Sequence, residues 1–345
     1  MLAKTLGAEP VIFFGDDNAQ YPYLEFLPGL TFLTTAYADD SAKRREQYLQ
    51  FLLEHAARID VLALHGPYAE SMELLHHYRR LKPAGKVYIT LDMNSHWQKR
   101  IAWGAPACTA FFDRCDAITN SCRTMRDSVN RDPNVNFDSF WISNAFFNAY
   151  NVPVIAKPKL KENILLTVGR IGSGQKNNEE LLLAFAKAAG ALPSWRVHLV
   201  GSVDDRIKPF IAQYFEAYPH LKKRVILKGK LVDKEALYRE YARAKVFVLT
   251  SVMEGAPNVY AEALHHGCAF ITSDIDCADD ITDFGRLGEK YALGDKDALA
   301  RAMIRLCRKA DANFFKAHIP AALAYANRYY DWERNARKIA YMLYH

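Results

Sequence analysis

Apolar residues follow two rhythms along this chain. Short β-branched and aromatic runs, VIFF (11–14), LTFLT (30–34), VLALH (61–65), KVYITLD (86–92) and AITN (117–120), predict strands. Between them, SAKRREQYLQFLLEHAA and YAESMELLHHYRRL place apolar residues three and four apart, the spacing of one helix face. The alternation then repeats. ILLTVG (164–169), WRVHLVG (195–201), VILKG (225–229), KVFVLT (245–250) and CAFITS (268–273) predict five more strands. Helical stretches such as NNEELLLAFAKAAG and KEALYREYARA separate them. Strand–helix alternation of this kind predicts parallel sheets covered on both faces, an α/β class.

The two series meet near NVPVIAKPKLKEN (151–163), which is rich in Pro and Lys and has no period. Residues 1–152 therefore read as one Rossmann-like domain, 153–163 as a linker and 164–326 as a second domain. Residues 327–345 read as a closing amphipathic helix that packs back toward the first domain. A chain of 345 residues is long enough for two cores.

Composition narrows the function. No apolar run approaches the roughly 18 residues of a membrane span, and the N-terminus has no signal-peptide core, so a cytoplasmic location is the expectation. The net charge of +6 is uneven. Residues 1–150 hold 15 basic and 17 acidic side chains, leaving 30 and 22 for the rest. The positive field of the second half suits an anionic small ligand. No basic run with interleaved aromatics points to nucleic acid. Cys108, Cys115, Cys122, Cys268, Cys277 and Cys307 contain no C-x-x-C and read as reduced structural thiols.

The chemistry concentrates in SVMEGAPNVYAEALHHG (251–267). A strand leads into a turn, Pro257 suits the first helical position, and Gly267 stops the helix. The turn leaves backbone N–H groups at Gly255, Ala256, Asn258 and Val259 for an anion, aided by the helix dipole. Glu254 stands beside that anion site. Glu262 lies eight positions on, about 80° of net helical rotation away, so one ligand lying along the helix start can reach both. Its diphosphate meets the amides, a sugar ring offers hydroxyls to Glu254, and a ribose offers its diol to Glu262. Cations come from LLTVGRIGSGQKNNEELLLAF (165–185), where Arg170 and Lys176 flank a glycine-bearing loop without P-loop spacing.

In this order, VGRIGSGQKN, VHLVG, VILKGKL, the 251–267 stretch and FITSDIDCADDI resemble the retaining GT-B glycosyltransferases of family 4. The resemblance covers about 160–330, and the DWERNA helix also fits. Glu254 and Glu262 match the family's E-x7-E, and Arg170 and Lys176 its phosphate-binding pair. Gly229, Lys230 and Leu231 match the loop whose backbone reads the base. The first half resembles the family more loosely, as the acceptor-side domain: IDVLALHGPY ends a strand at His65, and Asp92 stands where many members carry a His-bearing turn. FWISNAFF, with Asn144 at its turn, resembles the last strand before the linker. The chain starts at a helix end like LAKTLGAEP, so the first domain is expected to lack the fold's opening strand and Gly-Gly loop.

The resemblance implies two Rossmann-like, doubly wound domains facing across a cleft that closes by hinge motion. It implies retaining transfer of a sugar from a nucleoside diphosphate sugar, a UDP-sugar with GDP-mannose as the alternative, to a glycan, polysaccharide or lipid-linked acceptor in cell-surface glycan synthesis. No metal or cofactor is expected. Glu254 orients the donor ring, and Asp92 or His65 assists. The bland readings are a surface role for Arg170 and Lys176, a turn cap for Asp92 and a packed core imidazole for His65. Asp274-Ile275-Asp276 has the spacing of a metal-binding D-x-D but reads as a strand end. Trp97, Lys99, Arg100, Ile101 and Trp103 suit either a packed helix with snorkelling cations or peripheral contact at the inner face of a membrane. The rivals are a nucleotide-sugar epimerase, a pyridoxal phosphorylase and a non-catalytic nucleotide-sugar-binding module of a larger assembly.

Overall fold

A computed structural model describes residues 7–16, 29–36 and 38–345. The first five residues of the helix end expected at the N-terminus lie outside the described residues. By internal contacts the chain divides into two compact units, Met1–Ser143 with Asp331–His345, and Asn144–Tyr330. The Pro- and Lys-rich stretch 153–163 thus groups with the second unit, and the closing helix Trp332–Tyr344 with the first.

In the first unit, β1 (Val11–Asp16) and β2 (Thr31–Ala36) pair in parallel as a separate two-stranded sheet. A second parallel sheet runs in the order β3 (Val61–His65), β4 (Lys86–Leu91), β5 (Ala117–Asn120), β6 (Phe140–Trp141). Alternation decides which face is buried: Val87, Ile89 and Leu91 of β4 point into a core with Leu75, Tyr78, Phe111 and Phe112. The C-terminal helix is tied in by the buried Asn335 amide, which donates to the Ser143 carbonyl at 2.9 Å.

The second unit holds six parallel strands: β7 (Glu162–Val168), β8 (Arg196–Val200), β9 (Val225–Gly229), β10 (Ala244–Leu249), β11 (Ala269–Ser273) and β12 (Gly288–Tyr291). Their order is β12-β11-β10-β7-β8-β9. One face packs Leu165, Val197, Leu199, Val246, Val248 and Ile271 beneath the helices Asn178–Ala188 and Lys296–Lys309. On the other, Phe247 and Phe270 meet Tyr241 and Tyr260.

All ten expected strands form. β6, two residues long, falls in the FWISNAFF stretch that the family resemblance reads as a last strand, and β12 is additional, because GEKY has too little apolar character to read as a strand. The order in the second unit is that of a doubly wound Rossmann sheet, which winds one way from β7 and the other way from β10. The switch point therefore lies between these neighbours, and ligands in such sheets bind beyond the carboxyl ends of the strands there.

Candidate active site

Both loops that carry the expected chemistry leave the sheet at this switch point. Beyond β7 the chain turns through Gly169 to Asn177 before the helix Asn178–Ala188. Beyond β10 it turns through Thr250 to Pro257 before the helix Asn258–His265. The loops are stitched together: Val252 N–H donates to the Gln175 carbonyl at 2.8 Å, and the Thr250 hydroxyl to the Lys176 carbonyl at 2.9 Å.

Glu254 is buried, 9% exposed, at the centre of this seam. One of its oxygens accepts from the Lys176 ammonium and from the Ser251 hydroxyl at 2.7 Å. The other accepts from the Gln175 amide at 3.3 Å. Arg170 donates to the Gln175 side-chain oxygen at 2.9 Å and is otherwise exposed. A buried carboxylate needs such partners, because leaving it unpaired costs more than any single bond returns. The surface-cation reading of Lys176 is therefore corrected, since its head is in an ion pair that is 17% exposed on the lysine side.

The turn at 255–259 departs from the expectation at one point. Pro257 is the N-cap in extended geometry, not the first helical residue, and the helix starts at Asn258. Pro257 cannot donate, so the first turn begins with its donors at Asn258 and Val259. Among the described residues, none supplies an acceptor to the N–H groups of Gly255, Ala256, Asn258 or Val259. The Ala256 carbonyl is held by the Asn144 amide at 3.0 Å.

Glu262 sits half-buried on the same helix. It accepts from the Tyr241 hydroxyl at 2.7 Å, and the Lys234 ammonium stands 4.0 Å away. Burial pushes its carboxyl above the usual range, against the Tyr241 bond and the Lys234 charge. Gly229 ends β9 at φ +68°, and its carbonyl accepts from Gly201 N–H at 2.9 Å. Lys230 beside it is exposed and Leu231 half-buried.

Two expected residues belong to the first unit. Asp92 directly follows β4 and accepts from the Ser121 hydroxyl at 2.5 Å. His65 ends β3 and is exposed, its ring facing Tyr68 at 6.5 Å, which corrects the packed-core reading. Together with Tyr68, Met93, Trp97 and Arg100 they line a cavity of about 300 Å³ within that unit. The aromatic and basic cluster beside it is not one surface. Its helix is a single turn, Ser95–Gln98, with Trp97 47% exposed, whereas Trp103 is 7% exposed and packs on Phe112 and Phe137. Among the described residues no helix is long and apolar enough to cross a membrane. Nor do His, Cys, Asp or Glu gather there in a group that could hold a metal, and Asp274 pairs with Lys290 at 3.2 Å.

Four residues of this arrangement were not picked out by sequence reasoning: Gln175, Ser251, Tyr241 and Lys234. Gln175 and Ser251 adjoin expected residues and carried a weak signal. Tyr241 and Lys234 reach Glu262 from the helix Lys234–Arg243, a contact that only the fold creates.

Residues 162–309, within the second unit, match the family model described as glycosyl transferases group 1. The fold is the GT-B fold of two Rossmann-like units. The chain is 27% identical over 157 residues to the lipopolysaccharide 1,6-galactosyltransferase of Salmonella typhimurium. That match spans 44% of this chain and 42% of the length of that protein. Among solved structures, sucrose-phosphate synthase from Thermosynechococcus elongatus superposes with a TM-score of 0.73 at 19% identity, over 99% of this chain and 90% of that one. The Anabaena protein HepE, solved in complex with UDP, gives 0.70 at 13% identity over 97% and 99%. The apo lipopolysaccharide outer core galactosyltransferase WaaB gives 0.67 at 17% over 91% and 85%.

Proposed function

We propose that this protein is a retaining glycosyltransferase of family 4 type that moves a sugar from a UDP-sugar to a glycan, polysaccharide or lipid-linked acceptor in cell-surface glycan synthesis. One observation carries the proposal. At the switch point of the second unit, a buried Glu254 and a Lys176 ammonium adjoin four backbone N–H groups that have no acceptor among the described residues. Such a set is matched to a diphosphate next to a polyhydroxylated ring. The Salmonella relative is named for galactosyl transfer, and HepE was solved with UDP. Both fit this reading.

In the proposed reaction the bond from the anomeric carbon to the phosphate oxygen breaks, and a bond to the acceptor oxygen forms on the same face. The acceptor proton passes to the departing phosphate oxygen. Negative charge grows on the diphosphate, where Lys176, Arg170 and the 255–259 amides meet it in place, without reorganisation. Lys176 is then shared between leaving group and Glu254, and Glu254 orients the donor ring and favours positive charge at the anomeric carbon. Glu262 takes the ribose diol, and Gly229, Lys230 and Leu231 border the base. Asp92 or His65 assists the transfer. No step requires a metal, so activity should persist in chelator.

The test is UDP release from a panel of UDP-sugars and GDP-mannose with saccharide acceptors. Glu254→Ala and Lys176→Ala should each lower turnover by about a hundredfold or more. Wild-type rates in both variants would defeat the assignment, and tight nucleotide-sugar binding without turnover would favour a binding module instead.

A further inference from the structure

Glu180 is a buried carboxylate that the proposed chemistry does not use. It lies in the first turn of the helix Asn178–Ala188 and is only 2% exposed. One oxygen accepts from Gly294 N–H at 3.1 Å, and the other from the Asn177 side-chain amide. These donors lie on two turns that are distant in sequence. Asn177 closes the turn that carries Lys176, and Gly294 lies within the 292–295 turn between β12 and the helix Lys296–Lys309.

Asn177 also holds a conformation that needs support. Its backbone is left-handed, at φ 47° and ψ 47°, which costs a non-glycine residue on the order of 1 kcal/mol. The same turn is closed by Lys176 N–H and Asn177 N–H, both donating to the Ser173 carbonyl at 2.9 and 3.2 Å. Direction of the Lys176 side chain toward Glu254 thus depends on a turn whose last residue is strained and held from below by Glu180. A surface carboxylate in a first helical turn would serve the dipole equally well. Burial of this one, with a donor from each turn, indicates a different task.

We propose that Glu180 is a positioning residue, a latch that locks the 173–177 turn to the 292–295 turn and thereby aims Lys176 at the diphosphate. The proposal rests on the reading of Lys176 as a phosphate ligand. The latch itself is a property of the unliganded chain and is tested apart from that reading.

Amide hydrogen exchange and UDP titration on the full chain make the test. In Glu180→Ala the amides of both turns should exchange at least about tenfold faster, with the remaining core unchanged. UDP binding by the folded fraction should weaken about tenfold, as displacement of a charged ligand by a fraction of an ångström implies, and the donor KM should rise more than kcat falls. Glu180→Gln keeps an acceptor oxygen and should recover most of the affinity. A merely structural Glu180 would lower the melting temperature and leave the Kd of the folded fraction unchanged. Should Glu180→Ala not fold, Asn177→Gly tests the same latch, since glycine accepts the left-handed backbone and only the amide is lost. Unchanged exchange in both turns, or an unchanged UDP Kd, would overturn the proposal. Faster exchange in a protein whose wild type binds no UDP would sink the phosphate role of Lys176 and leave only the mechanical coupling.

Discussion

Glu254 without Lys176 would keep only the Ser251 hydroxyl and the Gln175 amide for a buried charge. Lys176→Ala should therefore destabilise the unliganded chain by about 1–3 kcal/mol, besides its effect on turnover, and denaturant melts will read this. Glu262 gives a prediction of opposite character. Its folded carboxyl is raised above the ordinary value of 4.5, with burial as the main cause. The folded state thus binds the proton more tightly than the unfolded one. The stability contribution of Glu262 is full below the unfolded pKa and is lost as pH rises through the folded pKa. Glu262→Gln should gain in melting temperature relative to wild type as pH rises from about 4 to about 7. A difference that shrinks over this range would contradict the assignment. Glu254, Glu262, Arg170 and Lys176 were legible in the sequence because each stands at a fixed step from a strand end or helix start. Tyr241 was not, since nothing in LYREYARA says which helix its hydroxyl will meet.

Among elements, the junctions beyond the strands set the geometry. Gly201, beyond β8, holds φ +146°, and an added Cβ would lie 1.6 Å from the Gly169 carbonyl oxygen. The β7 turn that leads to Arg170 and Lys176 therefore approaches the β8 end with no room for a side chain. Gly201→Ala should cost more than about 3 kcal/mol or abolish folding, as read by chemical denaturation, because the clash is with backbone that cannot rotate away. The ten main strands were legible because Val, Ile, Leu and Phe cluster in short runs bounded by turn residues. β12 escaped because GEKY carries one aromatic among polar residues, and it pairs only as an edge beside β11. The start of the helix Asn258–His265 was misplaced by one residue. Proline favours the first helical position but also takes the extended cap geometry, and the pattern does not separate the two.

At the scale of the whole molecule, what the sequence hides is strand order. Periodicity predicts parallel strands and helices between them, but not that β7 and β10, about 80 residues apart, lie side by side. That adjacency joins the Lys176 and Glu254 loops, which the charge demand of one diphosphate brings together in the sequence reading without giving the strand order. The second unit has its own core from Leu165 to Ile319. Residues 144–330 produced alone should therefore unfold in one cooperative transition, as calorimetry would show, and a molten, non-cooperative profile would contradict an autonomous core. A diphosphate seated at the 255–259 turn is the central claim, and a crystal structure of the UDP complex tests it most directly. The predicted result has phosphate oxygens about 3 Å from amides of the 255–259 turn and within reach of Lys176 and Arg170. A diphosphate bound away from that turn, with Lys176 still paired only to Glu254, would contradict it.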